Sequence, residues 1–181
     1  IILMMVKKQN LVKECNLKLI INYKTIVNER TEDAPFIGAL ISAIDCKFNC
    51  KKCFNQDIKK MPTKQLECEK LIQIVKSDVF NKGIILAGLE WTNQPKEAKA
   101  LIECAIKNNL MVILYTGMDI NVFKRKFPQL LINGIYIKYG NYDETQKTIN
   151  HIEYGVTLAS SNQHIIKIKG DKCIENNSKS K

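Results

Sequence analysis

The chain has 181 residues, of which 45% are hydrophobic and 25% are charged, which is the composition of one ordinary globular domain. Its formal net charge is +10, but nearly all of the positive residues are lysines, and the only arginines are Arg30 and Arg125. Proteins that bind nucleic acids rely on the forked guanidinium group of arginine to contact phosphates and bases, so this composition argues against a nucleic-acid partner. No apolar run has membrane-spanning length, and seven cysteines, three of them clustered, argue against a secreted disulfide scaffold. We therefore expect a cytoplasmic protein with no nucleic-acid partner and no membrane attachment.

Residues 1–36 are predicted to form a β-rich N-terminal extension of the same domain. Strand character runs from Leu17 to Val27, and residues 28–35 are charged and loop-like. No linker, repeat or low-complexity block separates this extension from residues 37–169, which we interpret as the core. The polar segment 170–181 is predicted to be a disordered tail.

Within the core, short apolar runs alternate with helical patterns. The predicted strands cover residues 37–44, 83–88, 110–115, 134–137, 154–158 and 165–168. The predicted helices cover residues 63–77, 95–106 and 119–133, the last broken at Pro128. This alternation predicts an α/β fold with a mostly parallel sheet. About five to six parallel strands are too few for a closed eight-stranded barrel, so we expect a partial, open (β/α) barrel with outer helices.

Three cysteines lie together directly after the first predicted core strand. Cys46, Cys50 and Cys53 are separated by three and then two residues, and Phe54 and Asn55 follow. Thiolates at such spacing can converge on one metal centre, and iron–sulfur clusters are the usual choice when cysteines alone ligate. A cluster of four irons held by three thiolates leaves one iron open to a small molecule. The spacing therefore favours a reactive site over an electron relay.

Two other uses of these cysteines remain open from the residues alone. The three thiols can hold structural zinc if Cys68 supplies a fourth ligand, although zinc ribbons usually pair their ligands in two hairpins. Alternatively, Cys50 and Cys53 form a thioredoxin-like redox pair, which leaves Cys46 without a role. Cys68 and Cys104 lie in helical patterns and are predicted to be small buried hydrophobes.

The cysteine spacing resembles the signature of the radical S-adenosylmethionine (SAM) enzymes. That family often has an aromatic residue just before the third cysteine, where this chain has Lys52, and the aromatic Phe54 follows it instead. The order cysteine, aromatic, asparagine is similar to the subgroup that activates anaerobic ribonucleotide reductase. The resemblance implies that the fold is of the radical SAM type and that Cys46, Cys50 and Cys53 ligate a 4Fe-4S cluster.

Three downstream motifs support the same resemblance. After the strand at 83–88, Gly88 and Glu90 stand where the family carries Gly-Gly-Glu, with Leu89 in place of the second glycine and Trp91 where proline is common. Tyr115-Thr116-Gly117 is similar to the Tyr-Thr-Gly of the reductase activases, and Ser160-Ser161-Asn162-Gln163 to their Ser-Ser-Asn-Gln segment. The activases usually place an acidic residue and glycine after the next strand, whereas this chain has Lys138-Tyr139-Gly140. A glycine at a strand end lets backbone carbonyls approach an ammonium group closely.

The resemblance implies an oxidoreductase whose cofactors are a 4Fe-4S cluster and S-adenosyl-L-methionine. In the activase subgroup a flavodoxin-type donor reduces the cluster, SAM is cleaved to a 5′-deoxyadenosyl radical, and the radical takes hydrogen from a glycine of a partner. The implied partner is the glycyl-radical subunit of an anaerobic ribonucleoside-triphosphate reductase. The implied cofactor-binding residues are Phe54, Asn55, Gly88, Glu90, Thr116, Ser160, Asn162 and Gln163.

Two alternative functions stay open at this level. One is another small radical SAM enzyme that acts on a peptide or metabolite, and the other is a non-enzymatic module that binds zinc or an iron–sulfur cluster. His151 and His164 are not expected to join the cysteines as ligands, and a surface or hydrogen-bonded role is predicted for both.

Overall fold

The computed structural model of the protein describes residues 18–48, 50–170 and 172–175. Predictions that fall on residues 1–17, on residue 171 and on residues 176–181 therefore lie outside the described residues. The strands are β1 (Ile20–Tyr23), β2 (Ile26–Arg30), β3 (Gly38–Ser42), β4 (Lys64–Glu67), β5 (Gly83–Ala87), β6 (Met111–Tyr115), β7 (Tyr136–Tyr139), β8 (Ile152–Glu153), β9 (Val156–Thr157), β10 (His164–Lys169) and β11 (Lys172–Glu175). The α-helices are α1 (Gln56–Lys60), α2 (Cys68–Ser77), α3 (Pro95–Lys107) and α4 (Ile120–Lys126).

The centre of the fold is a seven-stranded mixed sheet in the order β11-β10-β7-β6-β5-β3-β2. Strands β3, β5, β6 and β7 run parallel to one another, while β2 pairs antiparallel with β3 on one side and β10 pairs antiparallel with β7 on the other. The α/β class is thus confirmed. The predicted count of five to six parallel strands is too high, because β2 and β10 pair antiparallel with their neighbours and leave four parallel strands in the centre.

Alternate residues of the central strands contribute to two separate cores, one on each face of the sheet. On one face, Ile41, Leu86 and Leu114 pack with the buried sides of α2, α3 and α4. On the other face, Ile85 and Ile113 pack under non-helical segments. The covering residues on that second face are Ala34, Phe36, Val156 and Leu158. Since both faces of β5 are covered, every residue of this strand is buried, as a continuous apolar run predicts.

The predicted start of the second core helix agrees with the structure, but the predicted start of the first does not. Helix α3 begins at Pro95, whose missing N–H costs nothing in a first turn. Helix α2 begins at Cys68 and not near Thr63, because residues Lys64–Glu67 form β4 and pair antiparallel with β1. Helix α4 ends at Lys126, just before Pro128, as proline in the pattern predicts.

Strands also occupy parts of the two segments outside the predicted core. Strands β1 and β2 lie in the region predicted to be β-rich. Residues Lys172–Glu175, within the predicted disordered tail, form β11 and pair with β10. Of the helices in the described part of the chain, none is long and apolar enough to cross a membrane.

Candidate functional site

The parallel strands end at a common edge of the sheet, and the predicted motifs follow these ends. The register pairs Ser42 of β3 with Ala87 of β5, and Tyr115 of β6 with Lys138 of β7. Because β10 runs antiparallel, its first residue, His164, pairs with Tyr139 and lies at the same edge. Residues far apart in the sequence therefore meet there, as expected for parallel α/β folds.

These strand ends enclose a pocket of about 330 Å³. All three clustered cysteines line it, together with most of the residues that the sequence singles out. The predicted site residues that line the pocket are Cys46, Cys50, Cys53, Phe54, Asn55, Gly88, Glu90, Thr116 and Gln163. Ser160 and Asn162 are not among the lining residues.

The loop that carries the cysteines is attached to the rest of the fold by backbone and side-chain contacts. The Glu90 N–H donates to the Asp45 carbonyl at 3.0 Å, and the Lys59 ammonium donates to the Cys46 carbonyl at 2.8 Å. At the far end of the loop, Lys52 forms an exposed ion pair with Glu144 at 2.9 Å. Next to it, the exposed Phe54 ring lies 5.2 Å from the Tyr142 ring, centroid to centroid. The loop is thus held in place at both of its ends.

The Glu90 side chain joins the motif after β5 to the motif after β6. One of its carboxylate oxygens accepts hydrogen bonds from the Thr92 N–H at 3.2 Å and the Thr92 hydroxyl at 2.7 Å. The other accepts from the Gly117 N–H at 2.9 Å. The side chain is buried yet fully hydrogen-bonded, as a buried carboxylate requires. It therefore connects the end of β5 with the end of β6.

Two glycines at the strand ends make room for their neighbours. Gly88 has φ of +77°, and a Cβ built there would lie 2.4 Å from the Ser42 hydroxyl oxygen. A Cβ on Gly117 would lie 2.9 Å from the Phe48 ring. The glycines therefore allow the cysteine loop and the end of β3 to approach closely. The Ser42 hydroxyl itself is buried, with no hydrogen-bond partner within the described residues.

The Ser160–Gln163 segment bonds mainly to the chain itself. The Ser160 hydroxyl accepts from the Asp143 N–H at 3.3 Å, and the Asn162 amide donates to the Asn141 carbonyl at 2.8 Å. The Gln163 amide donates to the Gly140 carbonyl at 3.2 Å while its oxygen accepts from the Ala159 N–H at 3.2 Å. These side chains hold residues 140–143 in place as a wall of the pocket, and Gln163 alone of the three reaches the lining.

Lys138 is a pocket residue that the sequence marks only as a departure from the activase pattern. It lines the pocket, and its ammonium lies 5.0 Å from the centre of the Tyr115 ring. Burial lowers the pKa of Lys138 to about 8. Attraction to the Cys50, Glu90 and Asp33 side chains raises this pKa, but by less than burial lowers it. The position at the end of a strand is the signal from which a site role could have been inferred.

The pocket provides the donor set of an iron–sulfur cluster held by three thiolates. Among the described residues that line it, the soft ligands are Cys46, Cys50 and Cys53, and the nearby Glu90 carboxylate is already engaged. Burial raises the pKa of the Cys46 thiol, so a metal must displace its proton. The residues present thus fit a cluster with an open iron.

The zinc alternative with Cys68 as fourth ligand is not compatible with the fold. Cys68 is fully buried at the start of α2, where it lies next to Cys104 and does not line the pocket. Both residues are buried core side chains, which confirms the prediction made for them.

One comparison with known proteins identifies a family. The model of the family described as "4Fe-4S single cluster domain" matches residues 38–166, which spans the core of the fold from β3 to β10. None of the curated proteins matches the chain.

Proposed function

Since the chain belongs to the 4Fe-4S single cluster domain family, we propose that it is a radical SAM enzyme that installs a glycyl radical on an anaerobic ribonucleotide reductase. The family is found in radical SAM-type enzymes. The observation that carries the proposal is a pocket lined both by the three thiols and by the motifs that follow β5 and β6. A plain electron relay has no need for a pocket beside its cluster.

The chain's own residues have separable tasks in this proposal. Cys46, Cys50 and Cys53 hold the 4Fe-4S cluster, which when bound supplies the electron that splits SAM into methionine and a 5′-deoxyadenosyl radical. Gly88 lines the pocket at the end of β5, where its backbone can receive the methionyl amino group of SAM. Glu90 fixes the relative position of the β5 and β6 ends.

The remaining wall residues bind and enclose the cofactor. Thr116 is buried and its hydroxyl accepts from the Met118 N–H at 3.1 Å, which orders the turn after β6. Gln163 lines the pocket as well, and so do Phe54 and Asn55 of the cysteine loop. Ser160 and Asn162 support residues 140–143 from behind. In this proposal the wall residues orient SAM and exclude water, while the cofactors themselves supply the reactive chemistry.

The partial-barrel part of the proposal rests on the strand order. Strands β3, β5, β6 and β7 are consecutive and parallel, with the helices α2, α3 and α4 packed on one face only. In a partial barrel of the radical SAM type that face is the outer one. The partners in this proposal are the glycyl-radical subunit of the reductase and a flavodoxin-type electron donor.

The test of this function is product analysis under anaerobic conditions. Iron-loaded protein is reduced and incubated with SAM, and 5′-deoxyadenosine and methionine are quantified by mass spectrometry. We expect both products in equal amounts. A glycyl radical detected by electron paramagnetic resonance on an added anaerobic reductase supports the activase assignment. SAM cleavage without that radical contradicts the activase assignment, and no cleavage by iron-loaded, reduced protein contradicts the whole proposal.

We expect Lys138 to bind an anionic group of the cofactor, for which the α-carboxylate of SAM is the candidate. Replacing Lys138 by methionine should weaken SAM binding to the iron-loaded protein about 10-fold, because one charged hydrogen bond is lost. The ammonium is protonated below its pKa of about 8 and neutral above it. SAM affinity of the unsubstituted protein should therefore fall as the pH rises through about 8, measured by equilibrium dialysis.

Lys138→Arg is the matched control for this pH dependence. A guanidinium stays protonated across the same range, so the fall in SAM affinity above about pH 8 should disappear in this variant. An unchanged pH profile in Lys138→Arg would show that another group is responsible.

A further inference from the structure

A second group of metal-ligating side chains lies outside the set of pocket-lining residues. The chain contains two histidines, and the fold brings both of them to Glu153. His151 Nε2 lies 3.1 Å from Glu153 Oε1, and His164 Nδ1 lies 2.7 Å from the same oxygen. One donor atom from each of the three residues lies within 4.8 Å of the other two. We call these three residues the histidine cluster.

Short-range structure positions the histidine cluster. Glu153 ends β8, and the tight turn at Tyr154–Gly155, with φ of +51° and +79°, returns the chain into β9. The Leu158 N–H donates to the His151 carbonyl at 2.8 Å, which places the residue before β8 beside the end of the hairpin. His164 begins β10, so the cluster connects the hairpin to the central sheet.

The carboxylate of Glu153 is held in the orientation that a metal ligand needs. Its side chain is buried, and its second oxygen accepts a hydrogen bond from the Ile165 N–H at 2.5 Å. This leaves Oε1 directed at the two imidazoles. Fixing a first ligand by a backbone hydrogen bond is the usual outer-shell support of a metal site.

The donor set also indicates which ion fits. Two imidazole nitrogens and one carboxylate oxygen are the protein ligands of zinc sites that keep a fourth position for water. The His164 side chain is 44% exposed and that of His151 is 22% exposed, so an ion and its water can reach the cluster from solvent. The Nδ1 atom of His151 is buried, with no hydrogen-bond partner within the described residues. The nitrogen of this ring that faces Glu153 is the other one, Nε2, and it is the ligand atom in this cluster.

We propose that His151, Glu153 and His164 bind a divalent transition-metal ion of the zinc class, separate from the iron–sulfur site. The ion clamps the β8–β9 hairpin to the start of β10. Leu158 and Gln163, which adjoin this clamp along the chain, line the cofactor pocket. Metal binding at the histidine cluster therefore stiffens one wall of the pocket without contributing a ligand to the iron–sulfur cluster.

The test uses the full chain without a histidine tag and with the iron–sulfur cluster loaded, so that the cysteines are occupied. After incubation with zinc and gel filtration, elemental analysis should find about one zinc per chain in addition to iron. His164→Gln and Glu153→Gln should each lose the zinc while keeping the iron. At free zinc about 100-fold above its dissociation constant, the melting temperature should rise by about 5–10 °C in the unsubstituted protein and not in His164→Gln.

Glu67→Gln is the control, since it removes a carboxylate that pairs with Lys70 on the surface far from the cluster in sequence. Zinc should be retained by this variant. Retention of zinc by His164→Gln would overturn the proposal, and so would the absence of zinc from the unsubstituted protein. Loss of zinc from Cys50→Ala together with retention in His164→Gln would assign the ion to the cysteine loop instead.

Discussion

Replacing Cys50 by alanine is expected to abolish both the brown iron–sulfur chromophore and SAM cleavage. Cys50 lies between the other two pocket thiols in the sequence and lines the pocket with them. Loss of one of three ligands affects the cluster itself, so the fall in cleavage should exceed the 10–100-fold that mutation of outer-shell residues typically causes. Iron content, absorbance and 5′-deoxyadenosine yield measure the effect.

Cys104→Ala is the matched control, because it removes a thiol of the same chain from a buried position in α3. This variant should keep its iron and its cleavage activity, with some loss of stability from the small cavity. If Cys50→Ala retained the chromophore, or if Cys104→Ala lost it equally, the assignment of the ligands would be wrong.

Replacing Gly88 by alanine is expected to destabilise the protein by about 2–5 kcal/mol. About 1–2 kcal/mol comes from the positive φ of +77°, and about 1–3 kcal/mol from forcing a methyl group into a packed site. Rotating the Ser42 hydroxyl away does not relieve the contact fully, since the Ser42 Cβ would still lie 3.0 Å from the new methyl. In a chain of this length, the melting temperature should fall by about 4–20 °C.

Gly155→Ala separates the two contributions. Gly155 has nearly the same backbone angle, with φ of +79°, but a Cβ there would meet nothing within 4 Å. This control should lose about 1–2 kcal/mol from the backbone alone. Equal melting temperatures for the two variants would show that the space around Gly88 is not tight. SAM cleavage should fall further in Gly88→Ala, because Gly88 lines the pocket.

The central strands could be predicted from the sequence because they are continuous apolar runs bounded by glycine or polar residues. Strands β5 and β6 are buried on both faces, and such burial leaves a local signal. Lys64–Glu67 carries no such signal, since it is mostly exposed and becomes a strand only by pairing with β1 more than 40 positions earlier. Long-range pairing of this kind overrides the local pattern that favours a helix start at Thr63.

The candidate site shows the same division between local and long-range information. The spacing of Cys46, Cys50 and Cys53 is local, and it predicts a metal centre without knowledge of the fold. The direction of a side chain at a strand end is not local, so Lys138 enters the pocket while Ser160 and Asn162 face the backbone of residues 140–143. For the same reason, the meeting of the two histidines at Glu153 could not be predicted from their separation of 13 positions.

The order of strands in the central sheet has a consequence for how the protein is made. When the strands of this sheet are taken in chain order from β2 to β11, each one lies beside the strand of the sheet that was made just before it. The sheet can therefore extend one strand at a time as the polypeptide leaves the ribosome, without waiting for a distant partner. The thiol loop emerges early, but Gln163, which lines the same pocket, emerges more than 100 residues later. The pocket that contains the three thiols is therefore complete only after nearly the whole core has been translated.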